Sequence, residues 1–200
     1  FMKSKPSLPD TIQLAHGSGG QMTRELLDQI VFNTFRNPYL EQKHDGAIVP
    51  LKGPVVISTD SFVVSPIFFR GGDIGELAVN GTVNDVAMCG AIPEFISLAF
   101  IIEEGLEMAQ FLRVVESVKI AAVEAGVLVV TGDTKVVESG KGDKIFINTT
   151  GIGNPHPKAQ ISMERVGVGD QILVSGPIAA HGMAILSERE GLEFESEIQS

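Results

Sequence analysis

Two hundred residues with 44% hydrophobic and 20% charged side chains can bury a real core, which excludes a disordered chain. A formal net charge of -10 argues against a nonspecific nucleic-acid binder, which needs a basic face; nucleotides stay open, because magnesium and one or two cations can meet their charge locally. The single cysteine, Cys89, excludes an intramolecular disulfide and a paired-cysteine metal site and fits a reducing cytosol, and the longest apolar stretches fall short of a bilayer span.

In chain order, residues 1–15 are a polar lead-in without the apolar core of a signal peptide. His16-Gly17-Ser18-Gly19-Gly20 is a glycine loop. It opens a predicted helix carrying Met22, Leu26, Leu27, Ile30 and Val31 at helical spacing, closed by Asn37-Pro38. Ala47 to Val49 and Val55 to Thr59 read as strands around a Lys52-Gly53-Pro54 turn, and Phe62 to Phe69 as a further β-prone stretch. A helix follows Gly71-Gly72-Asp73, with Ile74, Leu77, Ala78 and Gly81 at i, i+3, i+4 and i+7 and Gly90 to close it. Cys89, at the end of that apolar face, reads as a small core residue. Glu94 to Ile102 is a predicted strand. The clearest helix then buries Met108, Phe111, Leu112, Val115, Val118 and Ala122 and is capped by Gly126. Val127 to Val130 and Ile145 to Gly151 are predicted strands. The order is mixed, so the expectation is α+β packing with helices on one face of a sheet. The pattern breaks at Asn154-Pro155-His156-Pro157, giving a first domain over 1–154 and the beginning of a second over 158–200, with a strand at 169–176 and a helix at 181–189. One strand and one helix do not close a core, so the second domain reads as incomplete.

The chemistry concentrates in short polar strings. The run Val127 to Val130 is expected to stop at Thr131-Gly132-Asp133-Thr134-Lys135, and the run Val55 to Thr59 at Asp60; Gly81-Thr82-Val83-Asn84-Asp85 lies between. Strand ends aim side chains into a crevice in α/β folds. Each acid alone fits a turn position. Asp60, Asp85 and Asp133 aimed at one point would repel unless a cation sat among them, and Asp45 before the first strand makes four acids, enough for Mg²⁺ with phosphate oxygens. Lys135 beside Asp133 fits a phosphate or substrate contact, and the Gly17 to Gly20 loop fits a backbone cover over phosphates. There is no P-loop string, no dinucleotide fingerprint, no GxSxG and no metal-ligand spacing of His16, His44, His156 and His181.

The strings HGSGG (16–20), STDSFVVSPIFF (58–69), GGDIGELAVNGTVNDVAMCGAIPEF (71–95), FIIEEG (100–105), TGDTKVV (131–137) and FINTTGIG (146–153) resemble the HypE family of hydrogenase maturation factors. The likeness continues through GDQILVSG (169–176), HGMAIL (181–186) and REGLEFE (189–195). The wider PurM-like, AIR synthase-related superfamily includes aminoimidazole ribonucleotide synthetase, selenide water dikinase and thiamine-monophosphate kinase. The absence of a cysteine near Gly17 to Gly20 disfavours the second, and Lys135 within GDTKVV disfavours the third.

The resemblance implies a cytoplasmic homodimer whose N-terminal domains pair into a β-barrel, with ATP and Mg²⁺ in the cleft that pairing creates. It implies ATP-dependent dehydration of a cysteine S-carboxamide to a thiocyanate. HypF would be the carbamoyl donor and a HypC–HypD scaffold would receive the cyanide for the iron of [NiFe]-hydrogenase. By motif, Asp45, Asp60, Asp85 and Asp133 would bind the metal. Gly17, Ser18, Gly19, Gly20, Asn84, Thr134 and Lys135 would bind the nucleotide, and Lys135 would act on the substrate. The family's reactive cysteine lies at an extreme C-terminus that this sequence, ending at Ser200, does not include, so the chain is expected to bind ATP and pair without completing the dehydration. Arg70 stands where the family usually has proline before Gly-Gly. A partner is further expected to cover Phe62 to Phe69 and Glu94 to Ile102 as apolar sheet edges. Two alternatives remain: a non-catalytic ATP-binding and partner-docking module, and another superfamily kinase or synthetase.

Overall fold

A computed structural model of the chain describes residues 8–42 and 46–190. Its centre is a four-stranded mixed sheet, in the order β1 (Val56–Phe62), β6 (Ile145–Pro155), β4 (Ala91–Glu103), β5 (Leu128–Val137). β1 and β4 pair antiparallel with β6, and β5 pairs parallel with β4. The α3 (Ile74–Met88) and α4 (Met108–Ala125) helices cover one face, giving the α+β layering that the mixed order of elements predicts. Phe100 and Ile102 of β4 turn inward and are buried, and Phe100 meets Phe111 of α4 edge to face at 5.4 Å. α4 ends where Gly126 takes φ +69, a left-handed cap that a side chain would strain. Asp73 starts α3: one oxygen, Oδ1, accepts from the Gly75 and Glu76 N–H groups and from Ser117 Oγ of α4.

At the N-terminus, a 3₁₀ turn (Leu14–Gly17) leads into α1 (Gln21–Leu26), a π-helical turn (Leu27–Val31) and a short α2 (Phe32–Thr34). Buried Asn37 ties this segment to the sheet, donating from Nδ2 to the Val129 carbonyl at 2.7 Å. A small ribbon of β2 (Phe68–Phe69) and β3 (Gly72–Asp73) precedes α3. α5 (Ala180–Glu190) rests on that ribbon through His181 and Phe69, with Ala184 and Ile185 buried.

Several sequence expectations are corrected. Ala47 to Val49 form no strand, and Ile48 is 87% exposed. β1 does not stop at Asp60 but runs to Phe62, and β5 runs through Thr131–Lys135 to Val137. Continuous pairing with β6 and β4 carries both strands past their apolar runs, because an edge strand with a solvated side accepts polar residues. β4 lies in the middle of the sheet, so Glu94 to Ile102 is not an edge. Phe62 to Phe69 is split between β1 and β2. Residues 169–176 form no strand; Ile172 and Leu173 are 92% exposed, since no neighbouring strand takes up their backbone groups. Cys89 caps α3 beyond its buried face and is exposed.

Candidate functional site

The motif residues gather at two places. At the β1 edge, Val56, Ser58, Asp60 and Phe62 face the helices, the alternation of a strand placing Asp60 beside α3. Gly81 lets α3 approach: a Cβ there would meet the Phe62 ring at 2.8 Å and lie 4.0 Å from Asp60 Oδ2. One turn on, Asp85 accepts from Ser58 Oγ at 3.0 Å. Asp60, Asn84 and Asp85 are exposed, so the carboxylates keep free lone pairs toward solvent. Asp45 lies outside the described residues.

At the opposite edge, Lys135 Nζ donates to Asp133 Oδ1 at 2.9 Å. Both side chains are well exposed, and such a pair contributes no more than about 1 kcal/mol, so Lys135 can exchange Asp133 for another anion at little cost. The pair borders a groove of about 920 Å³ between the N-terminal segment and β5. Its polar mouth is Gly17, Gly19, Gly20, Asp133, Thr134 and Lys135; its apolar end includes Phe32, Leu40 and Phe100. Gly17 packs so closely on β5 that a side chain there would run into the Val136 backbone. Ser18 turns its hydroxyl back onto the Ala15 carbonyl, and the Gly19 N–H is taken by Thr23 Oγ1 at 3.0 Å. Beneath the loop, His16 is buried and its Nδ1 accepts from the Gln13 N–H at 2.9 Å. Burial holds its pKa below the ordinary histidine value.

Within one chain the two places do not converge. Three inter-strand gaps separate β1 from β5, roughly 14 Å. Asp60 faces the helices, whereas Asp133, in register with Ala99, belongs to the other face. Among the described residues no three His, Cys, Asp or Glu side chains come together in a way that would hold a metal ion. Sequence reading missed Ser58, whose hydroxyl binds Asp85, and a polar network on the uncovered sheet face. There Thr150 donates to Thr59 Oγ1 at 3.0 Å, and Asn148 Nδ2 donates to Ser61 Oγ at 3.0 Å. The unbroken polar runs STDS and NTT, which put polar residues on both faces of their strands, were the available signal.

The profile of the AIR synthase related protein N-terminal domain family matches residues 43–154. The chain belongs to this family. It is 52% identical over 191 residues to carbamoyl dehydratase HypE of Azotobacter vinelandii, a match covering 95% of this chain and 56% of that protein. The chain therefore spans just over half the length of that relative. Its fold superposes on a crystal structure of the hydrogenase maturation protein HypE in complex with ATP with a TM-score of 0.92, at 52% identity, over 95% of this chain and 57% of that one. A crystal structure of a HypE–HypF complex matches with a TM-score of 0.72, at 49% identity, over 88% of this chain and 57% of that one. Among the described residues no helix is long and apolar enough to cross a membrane.

Proposed function

We propose that this chain is the ATP-binding and pairing portion of a HypE-like carbamoyl dehydratase. The observation that carries the reading is the division of the motif set between the two outer strands of one sheet. A second copy closing edge on edge would bring the strand of one chain that carries Asp60, beside Asp85, next to the strand of the other that carries Asp133 and Lys135. The uncovered face gives a reason to pair: Ile57 is 60% and Ile101 44% exposed, around the polar network. The proposed homodimer thus closes a barrel and completes two sites at once. The solved relative in complex with ATP supports the choice of nucleotide.

The donors at the β1 edge suit magnesium. Carboxylate and hydroxyl oxygens are hard ligands, and a cation that keeps water and phosphate oxygens needs only one or two carboxylates. Asp60 and Asp85, with Asp133 from the paired copy, would hold it, and it would supply charge neutralisation at the phosphates. The chain's own residues do the rest. Gly17, Gly19 and Gly20, with Ser18 between them, and Thr134 would bound the phosphates, with Asn84 beside the metal. Lys135 would leave Asp133 for the reacting oxygen. In the proposed reaction the carboxamide oxygen of a cysteine S-carboxamide attacks the γ-phosphorus and ADP leaves. Loss of the two amide protons and departure of phosphate then leave the thiocyanate. Phosphorylation is needed because an amide oxygen is a poor leaving group, and Lys135 would stabilise the oxygen as it departs. HypF would deliver the carbamoyl group, which the solved HypE–HypF complex supports for a relative, and a HypC–HypD complex would accept the cyanide in the cytoplasm.

The test uses the complete protein with HypF and carbamoyl phosphate, reading loss of water from the modified cysteine by mass spectrometry. Lys135→Ala should slow dehydration by about 100-fold and weaken Mg-ATP binding by no more than about threefold, since an exposed contact adds little to ground-state binding. Equal rates in the parent and Lys135→Ala would remove Lys135 from the chemistry. No Mg-ATP binding by the parent protein would overturn the reading as a whole.

A further inference from the structure

The interior between α3 and β6 holds two threonines whose hydroxyls meet out of reach of water. Thr82 of α3 and Thr149 of β6 are both fully buried, with Oγ1 atoms 2.5 Å apart. Thr149 Oγ1 donates to the Ala78 carbonyl at 3.0 Å. A hydroxyl carries one proton, so Thr82 must donate to Thr149. The result is a directed chain, Thr82 O–H to Thr149 Oγ1 and Thr149 O–H to the Ala78 carbonyl. In a dry interior such a chain is stronger than its bonds taken singly, and breaking it strands a buried polar group.

Its placement is what matters. Thr149 is the cross-strand partner of Asp60 on the helix-facing side of the sheet. Thr82 lies three residues before Asp85, and Ala78 one turn before Thr82. The hydroxyl chain therefore joins the element pair that carries Asp60 to the helix that carries Asp85. The other contacts here are the solvent-exposed Ser58 Oγ–Asp85 hydrogen bond and close packing at two glycines. Gly81 lies under the Phe62 ring, and a Cβ at Gly151 would meet Thr82 Cγ2 at 2.8 Å and Val86 Cγ2 at 3.0 Å. Close apolar packing of this kind sets the height of α3 above the sheet but resists sliding weakly, because glycine offers no knob. A helix rises 1.5 Å per residue, whereas metal ligands must sit within about 0.2 Å of their distance. A slide of a fraction of one residue is enough to spoil the site.

We propose that Thr82 and Thr149 are positioning residues for the metal site: their buried hydroxyl chain fixes α3 along β6 and so sets Asp85 relative to Asp60. The inference rests on the proposed metal role of Asp60 and Asp85. The experiment titrates Mg²⁺ at fixed ATP in the complete protein by calorimetry, at a temperature where each variant is fully folded by circular dichroism. Thr82→Val keeps shape and removes the donor; Thr82→Ser keeps the hydroxyl; Asp85→Asn is the control for the site. Thr82→Val should raise the Mg²⁺ midpoint about fivefold to tenfold, from a lost buried hydrogen bond of ~1 kcal/mol, while Thr82→Ser stays within about twofold of the parent. Thr149→Val should raise the midpoint at least as far as Thr82→Val, because it removes both hydrogen bonds to α3 whereas Thr82→Val leaves Thr149 on the Ala78 carbonyl. The double variant should be no worse than Thr149→Val, since Thr82 then has no hydroxyl partner left to lose. If Asp85→Asn raises the midpoint and Thr82→Val lowers only thermal stability, the positioning role is wrong and the metal site stands. If Asp85→Asn leaves the midpoint unchanged, the metal site itself is wrong and the inference falls with it. Should Thr149→Val fail to fold, the Thr82→Val and Thr82→Ser pair decides alone.

Discussion

The two edges of the sheet are built in opposite ways. At the β1 edge two exposed carboxylates, Asp60 and Asp85, stand beside a single hydroxyl, Ser58, and are backed by buried hydrogen bonds between α3 and β6. At the β5 edge a cation already sits on its carboxylate, Lys135 on Asp133, and a glycine loop lies against the strand through bare backbone contact. The first edge offers oxygen ligands without a counter-charge; the second offers a cation without a cluster of ligands. Each has what the other lacks. This is the strongest physical reason to read them as two halves of one Mg-nucleotide site shared between copies.

The difference in construction can be broken at the glycines, where the largest effect is expected. A Cβ at Gly132 of β5 would run into the Leu98 carbonyl oxygen of β4, and backbone has nowhere to go. Gly132→Ala should lose about 3 kcal/mol of stability, read as a lower urea midpoint. A Cβ at Gly81 meets only the Phe62 ring at 2.8 and 2.9 Å, and a ring can tilt. Gly81→Ala should therefore lose about 1 kcal/mol. Equal losses at the two positions would mean that α3 is seated as rigidly as the β5 pairing, and the contrast between the edges would go.

A mixing experiment sharpens the same comparison. Asp85→Asn should weaken Mg-ATP binding by about 10-fold to 100-fold with the fold intact, because a charge-assisted contact of roughly 1.5–3 kcal/mol is removed at constant volume. Asp133→Asn should do the same from the other edge. If one site draws on both edges of two copies, co-expressing the two variants makes mixed dimers with one site doubly altered and one untouched. With random pairing half of the dimers are mixed, so roughly one quarter of all sites should regain full affinity. Calorimetry on the mixture should then show a tight fraction absent from either variant alone. A simple average of the two weak affinities would place both acids in one copy's site, or in separate sites.

Much of this architecture was legible in the chain, and the misses have physical causes. The stripe Met108, Phe111, Val115, Val118 and Ala122 is buried, because a long helix with one apolar face has a single way to lie on a sheet. Leu112, taken into the same stripe, sits on its shoulder and is 45% exposed. The strand-end reading of Asp60 and Asp133 failed because it borrowed a rule from parallel α/β sheets. Here Thr131 to Lys135 continue an edge strand, where polar residues cost nothing on the solvated side. The candidate site residues were named from the sequence, but their division between two edges was not foreseen. That division follows from the strand order β1, β6, β4, β5, and long-range pairing leaves no mark in local composition. Nothing in the local sequence links Thr82 to Thr149; only the crossing of α3 over β6 makes them a pair.

The smallest expected effect lies under the glycine loop and belongs to the β5 edge alone. His16 is 1% exposed, and its Nδ1 accepts the Gln13 N–H, so the ring is neutral with its proton on Nε2. Charging it would put a proton on the accepting nitrogen and a cation in a dry site. Burial accordingly lowers its pKa, against smaller opposing effects that include the charge of Glu25. The sign follows from proton counts. Below the unfolded value of about 6.5 the unfolded chain binds a proton that the folded chain refuses. Stability from this group is therefore complete above that value and is lost as pH falls through it toward the lower folded value. Comparing urea midpoints at pH 7.5 and pH 5.5, the parent should lose more than His16→Asn, which has no imidazole to charge. The carboxylates are common to both proteins and cancel in the difference. Hydrogen exchange places the effect: acid should first raise exchange at Gly19 and Gly20, above His16, while α3 near Asp85, at the far edge of the sheet, stays protected. Identical pH slopes in the parent and His16→Asn would show that the buried imidazole does not tie the loop to the sheet. Simultaneous loss of protection at both edges would show that the loop opens only when the whole domain does.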